Sequence, residues 1–114
     1  MSAIKKYRTF KDFYPYYLTE HSTVSNRLLH FVGTLLLLVC LGVGIVTGTW
    51  WFFALVPVLG YGFAWAGHFF IEKNKPATFT YPLYSLSADF VMFWDMLTGQ
   101  LPKKIVAAKT QLKN

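Results

Sequence analysis

Between Arg27 and Glu72 the chain contains no Lys, Arg, Asp or Glu. That gap constrains the fold more than any other feature. It divides into two apolar runs, 28–46 and 50–71, separated by Thr47-Gly48-Thr49. Each run is about 20 residues, the length at which a helix crosses the roughly 30 Å hydrocarbon layer of a bilayer. The sequence therefore predicts an all-α membrane protein built on a transmembrane helical hairpin.

Charge and composition agree with this reading. Charged residues make up 14% of the 114-residue chain, against about 25% in soluble domains. All 11 Lys and Arg lie outside the hairpin, from Lys5, Lys6, Arg8, Lys11 and Arg27 on one side to Lys73, Lys75, Lys103, Lys104, Lys109 and Lys113 on the other. The hinge carries none. An excess of basic residues marks the cytoplasmic side, so an integral, multi-pass protein with both termini in the cytoplasm is expected. A net charge of +6 beside membrane helices points to anionic headgroups rather than to nucleic acid. The length fits one domain, 1–114. The first apolar run has no small-residue cleavage site after it, so no cleavable signal peptide is expected. The lone Cys40 makes neither a disulfide framework nor a thiolate metal cluster.

Around the hairpin the chain reads as follows. Phe10, Phe13, Tyr14, Tyr17, Leu18 and His21 recur at helical spacing, giving an N-terminal interfacial helix that Pro15 starts or interrupts. Its rings suit the bilayer interface. Ser25 or Asn26 is the expected cap of the first spanning helix. On that helix Asn26, His30 and Thr34 share a line, with Gly33 at its border. Gly60, Ala64, His68 and Glu72 share a line on the second, with Gly67 beside it, and small residues at this spacing allow close approach. Trp50, Trp51 and Phe52 anchor the far interface. After the breakers Pro76 and Pro82, a third helix over about 83–98 is expected to be interfacial or re-entrant, covering the open end of the hairpin. Gly99 stops it, and Asp89 and Asp95 are assigned to its wet face. A basic surface helix closes the chain.

The chemistry lies in the histidines. His30 stands 18 positions before Gly48 and His68 stands 20 after it, so at 1.5 Å per residue both return to about the same depth. With His21 they form a candidate metal centre, and Glu72 is one turn beyond His68. Non-haem iron is the usual occupant of mixed His and carboxylate sites that leave positions open; zinc accepts the same ligands. Glu72 is read as a ligand, as the group that fixes an imidazole tautomer together with Asn26, or as the first charge outside the bilayer, paired with Lys73 or Lys75. Two rival readings stand beside a metal enzyme. One is a b-type haem electron carrier ligated by His30 and His68. The other is a non-catalytic membrane scaffold or lipid-binding subunit in which the histidines only pack.

Three stretches carry a resemblance: Tyr17-Leu18-Thr19-Glu20-His21, Asn26-Arg27-Leu28-Leu29-His30-Phe31-Val32-Gly33-Thr34, and Gly67-His68-Phe69-Phe70-Ile71-Glu72-Lys73-Asn74-Lys75-Pro76-Ala77. Together they resemble the membrane 2-hydroxy fatty acid dioxygenase family, over nearly the whole chain. The resemblance implies an iron(II)-dependent oxygenase that uses dioxygen to shorten a 2-hydroxy fatty acid by one carbon. His21, His30 and His68 would be the iron ligands or their close support. Arg27, Lys73 or Lys75 is the expected partner of the substrate carboxylate. The chain departs from the longer eukaryotic pattern, with Ala64 in place of a glutamine and a short C-terminal part. No eukaryotic retention signal ends it, so a bacterial inner membrane is expected rather than the endoplasmic reticulum.

Overall fold

The computed structural model describes residues 6–113. Lys5 and the rest of the first five residues of the basic lead-in, and Asn114, lie outside them. Among the described residues there are five α-helices and no strand: α1 (Phe10–Thr19), α2 (Val24–Thr47), α3 (Trp51–Ala66), α4 (Pro82–Leu97) and α5 (Leu101–Lys113). A π-helical segment, Gly67–Glu72, continues α3, and a 3₁₀ turn, Ala77–Phe79, precedes α4.

Helices α2 and α3 form an antiparallel hairpin. Gly48, at φ +67°, closes α2 in the left-handed conformation that glycine adopts without a Cβ penalty. The other end begins earlier than the apolar run suggests. Thr23, rather than Ser25 or Asn26, is the cap, its hydroxyl accepting the Asn26 N–H at 3.2 Å, so the helix starts four residues before Leu28. Small residues set the spacing along the seam. A Cβ on Gly33 would stand 2.9 Å from the Leu59 carbonyl oxygen and from Phe63 Cβ, and one on Gly60 would stand 2.9 Å from Leu37 Cδ1. At Gly67 it would overlap the side-chain oxygen of Asn26. Outward-facing residues such as Val39, Ile45, Val46, Trp51 and Val58 are exposed. Helix α2 and the run Trp51–Glu72 are both long and apolar enough to cross a membrane, with only 28% and 17% of their most apolar windows buried inside the protein.

The second packing unit joins α1, α4 and α5. Phe13 is wholly buried, with the rings of Tyr81 and Tyr84 at 5.0 and 5.5 Å and those of Tyr16 and Tyr17 at 5.9 Å. The aromatic residues of α1 are thus core residues, a correction to their expected place as interface anchors. Five rings meeting edge to face and offset bury more area than the same rings spread singly at a surface. Helix α1 also runs through Pro15 without a break.

Asp95 is likewise not on a wet face, and Asp89 is half-buried. Asp95 is 2% exposed and accepts from the Tyr14 hydroxyl at 2.7 Å and from Lys104 Nζ at 2.9 and 3.0 Å. A buried carboxylate requires such partners, and this one ties α1, α4 and α5 together. Asp89 accepts from the Tyr17 hydroxyl. Gly99, at φ +73°, makes the turn from α4 into α5, as expected of a stop.

The Gly67 contact gives a direct test. Gly67→Ala is expected to cost about 1–3 kcal/mol through overpacking against Asn26. Gly62→Ala, where a Cβ meets nothing within 4 Å, is expected to be neutral or slightly stabilising. Thermal unfolding of the two variants in detergent reads the difference.

Candidate metal centre

Three elements deliver one imidazole each. His21 follows α1 directly, on the short link to α2. His30 lies two turns into α2. His68 lies in the π-helical segment, a local widening of the helix that recurs at functional sites. All three are buried, at 0, 5 and 3% exposure. Their ring centroids are 4.3 Å (His21–His30), 4.5 Å (His21–His68) and 5.1 Å (His30–His68) apart, meeting edge to face. One nitrogen from each lies within 4.8 Å of the others, an arrangement that can hold a metal ion.

The tautomers follow from the partners. His21 Nδ1 is 2.6 Å from the Tyr17 carbonyl oxygen, and His30 Nδ1 is 3.0 Å from the Asn26 carbonyl oxygen. A carbonyl only accepts, so both Nδ1 atoms carry the proton. His68 Nδ1 is 2.7 Å from Asn74 Oδ1. The Asn74 amide nitrogen donates to the Glu20 carbonyl at 3.1 Å, which fixes Oδ1 as the acceptor, so His68 Nδ1 also carries its proton. Every Nε2 is therefore a lone pair. His21 Nε2 and His30 Nε2 face each other at 3.0 Å with no hydrogen between two neutral rings. Two ligands at about 2.0–2.1 Å from one ion stand roughly 3 Å apart when cis. Three buried lone pairs with no donor fit a cation.

Burial holds the His21 imidazole well below its ordinary titration range, and the neighbouring His30 and His68 push the same way against the Tyr17 hydrogen bond. The ring stays neutral, as a metal ligand must. Burial also raises the Glu20 carboxyl, with Glu72 adding repulsion.

Glu72 is placed otherwise than as a ligand. One oxygen accepts from the Ser22 hydroxyl at 2.8 Å; the other accepts from the Thr23 N–H at 2.8 Å, the Thr23 hydroxyl at 3.0 Å and the Asn26 amide at 3.2 Å. It clamps the positive end of the α2 dipole and pairs with neither Lys73 nor Lys75, which are exposed. Its link to the imidazoles runs through Asn26, whose backbone carbonyl holds His30. Arg27 Nη1 donates to the His21 carbonyl at 2.7 Å, fixing the turn that carries this histidine.

Two partners were not expected from sequence. Asn74 replaces Glu72 as the group that holds His68; Lys73, at φ +61°, turns the chain back so that residue 74 reaches residue 68. A left-handed lysine leaves no signal in the sequence. Tyr17 is the other: its carbonyl holds His21, its ring lies 4.1 Å from the imidazole, and its hydroxyl reaches Asp89 on α4. A cavity of about 210 Å³ opens among α2, α3 and α4, bordered by Thr34, one turn beyond His30, and by Asp89.

Comparison with known proteins bears on this site. A family model described as 2-hydroxy-palmitic acid dioxygenase, Mpo1-like, matches residues 7–101, a span that includes all three histidines, Asn74 and Asp89. No curated protein and no solved structure matches the chain.

Two outcomes follow from the hydrogen bonds and the burial of the imidazoles. Asn74→Ala frees the His68 ring and is expected to weaken divalent-metal binding about 10- to 100-fold in a metal titration, while Lys75→Ala leaves it unchanged. Because the His21 pKa is depressed by folding, its contribution to stability is present above the ordinary value of 6.5 and is lost as pH falls below it. The Tm of metal-free protein is expected to decline progressively on acidification from that point. Substituting His21 with Asn is expected to flatten the decline.

Proposed function

The chain belongs to the 2-hydroxy-palmitic acid dioxygenase, Mpo1-like, family, and from that membership we propose that it is a membrane dioxygenase that shortens 2-hydroxy fatty acids by one carbon, with iron(II) held by His21, His30 and His68. The observation that carries this reading is the set of three inward lone pairs, each fixed by a protonated Nδ1 on a dedicated acceptor. When bound there, iron(II) supplies the redox chemistry through which dioxygen becomes the oxidant. Zinc fits the same donors but lacks that chemistry.

The chain's own residues do the rest. Outward faces of α2 and α3 lie in lipid, where their exposed Leu, Val and Trp side chains are at home. The basic flanks put both termini on the cytoplasmic side, in a bacterial inner membrane, and residues 1–114 act as one domain. Burial of the imidazoles keeps bulk water from the reacting carbon. Arg27, half-buried and already turned toward the His21 carbonyl, has N–H donors left to pair with the substrate carboxylate. Lys73 and Lys75, exposed on the loop beyond the π-helical segment, attract the acid to the surface. The cavity among α2, α3 and α4 receives the start of the acyl chain; its wall is mostly apolar. Glu72 and Asn26 hold the α2 terminus in register.

The alternatives fit the geometry less well. A scaffold gains nothing from three buried acceptors with no donor, each of which costs free energy. A haem needs an open plane between His30 and His68, and His21 fills that space, with its Nε2 3.0 Å from that of His30.

Metal content and product analysis decide. Protein purified without air is expected to carry about one iron per chain and to yield an acid one carbon shorter from 2-hydroxypalmitate. His30→Ala is expected to lose most of the iron and to lower turnover about 100-fold or more, as a ligand does. A metal-free wild type whose histidine variants keep full activity would refute the assignment.

A further inference from the structure

Among the described residues, Asp89 is the one carboxyl group on the wall of the cavity among α2, α3 and α4, where Leu37, Pro57 and Phe90 make the surface apolar. One of its oxygens accepts from Tyr17. The other takes no hydrogen bond from any described residue, and no described Lys or Arg pairs with it. A carboxyl group set in an apolar wall is costly unless something polar meets it. Burial pushes it up to about 7, against the pull of the Tyr17 hydrogen bond. Asp89 is half-buried on this wall, so its second oxygen is left to water or to a polar group carried by an otherwise apolar occupant.

Its position says which part of the occupant that is. Tyr17, bonded to Asp89, is also the residue whose carbonyl holds His21 and whose ring lies 4.1 Å from it. Thr34, on the same wall, stands one turn from His30. A single side chain thus separates Asp89 from the imidazole cluster. An acid whose head lies at the imidazoles and whose chain enters the cavity passes Asp89 with its first carbons.

We propose that Asp89 reads the 2-hydroxyl group of the acyl substrate, accepting a hydrogen bond from it with the oxygen that Tyr17 leaves free. The inference rests on the reading of the cavity as the seat of the acyl chain. It makes Asp89 a specificity-determining residue and Tyr17 the group that orients it. A site built to bond a hydroxyl discriminates against analogues that lack the donor, because its own polar group is then left unpaired.

The test compares binding of 2-hydroxypalmitate, 2-methoxypalmitate and palmitate to full-length protein in lipid nanodiscs, for wild type and Asp89→Asn. This substitution keeps the shape and an oxygen for the Tyr17 hydroxyl, so its amide N–H₂ faces the cavity and donates where the carboxylate accepted. Wild type is expected to bind the hydroxy acid about tenfold tighter than the methoxy acid and palmitate, the scale of one buried hydrogen bond. In Asp89→Asn the methoxy acid, whose ether oxygen accepts, is expected to bind as well as the hydroxy acid. An unchanged hydroxy-to-methoxy ratio in the variant overturns the role of Asp89 and leaves the acyl cavity standing, as does a wild type that binds all three acids equally. A wild type that binds none of them overturns both readings.

Discussion

Three N–H groups pointing outward from a cluster of imidazoles set the rest of the structure. Tyr17, Asn26 and Asn74 each present an oxygen to one Nδ1, and a ring that donates on one side can only accept on the other. The same hydrogen bonds therefore fix the ring planes, the tautomers and the direction of the three Nε2 lone pairs. Two of the holders are backbone carbonyls near helix termini, the Tyr17 carbonyl at the end of α1 and the Asn26 carbonyl in the first turn of α2. The placement of those helix ends is thus inseparable from the placement of the site.

The two packing units meet at this point. Along the hairpin, glycines at 33, 60 and 67 let α2 and α3 approach until His30 and His68 share one space. The aromatic core around Phe13 holds α1 against α4 and α5, so that His21 arrives from outside the hairpin and completes the cluster. Tyr14–Asp95–Lys104 locks that second unit with charge-assisted hydrogen bonds, and Tyr17–Asp89 joins it to the cavity wall. Glu72 acts at the seam: by gathering Ser22, Thr23 and Asn26 it binds the end of the π-helical segment to the start of α2. A carboxylate at a helix N-terminus is favoured by the dipole, and here it also keeps His30 and His68 in register.

Much of this was legible in the chain. Two uncharged runs around a Gly hinge specify a hairpin, and equal distances from the hinge bring His30 and His68 to one level. Periodicity marked His21 as facing the same way as Tyr17 and Leu18. What the sequence misassigned were groups whose partners are far away along the chain. Asp89 and Asp95 read as a wet face because a carboxylate in an apolar helix usually faces water; Tyr14, 81 residues from Asp95, holds that carboxylate inside, and Tyr17, 72 residues from Asp89, draws the other one half out of water. Aromatic residues in α1 read as interface anchors because ring composition alone does not distinguish a membrane surface from a core.

The sequence by itself determined which segments are helical and apolar enough to span, where the chain turns back, and which residue types are available for a metal. Those properties are local, set by runs, spacings and a glycine that accepts positive φ. Tertiary structure alone decided how the polar groups divide their hydrogen bonds: Asn74 rather than Glu72 on His68, Glu72 on the α2 terminus, Tyr17 between His21 and Asp89. A hydrogen bond requires its two atoms to come within about 3 Å. Only the packed arrangement of α1, the hairpin and α4 sets separations that small between residues so distant in the chain.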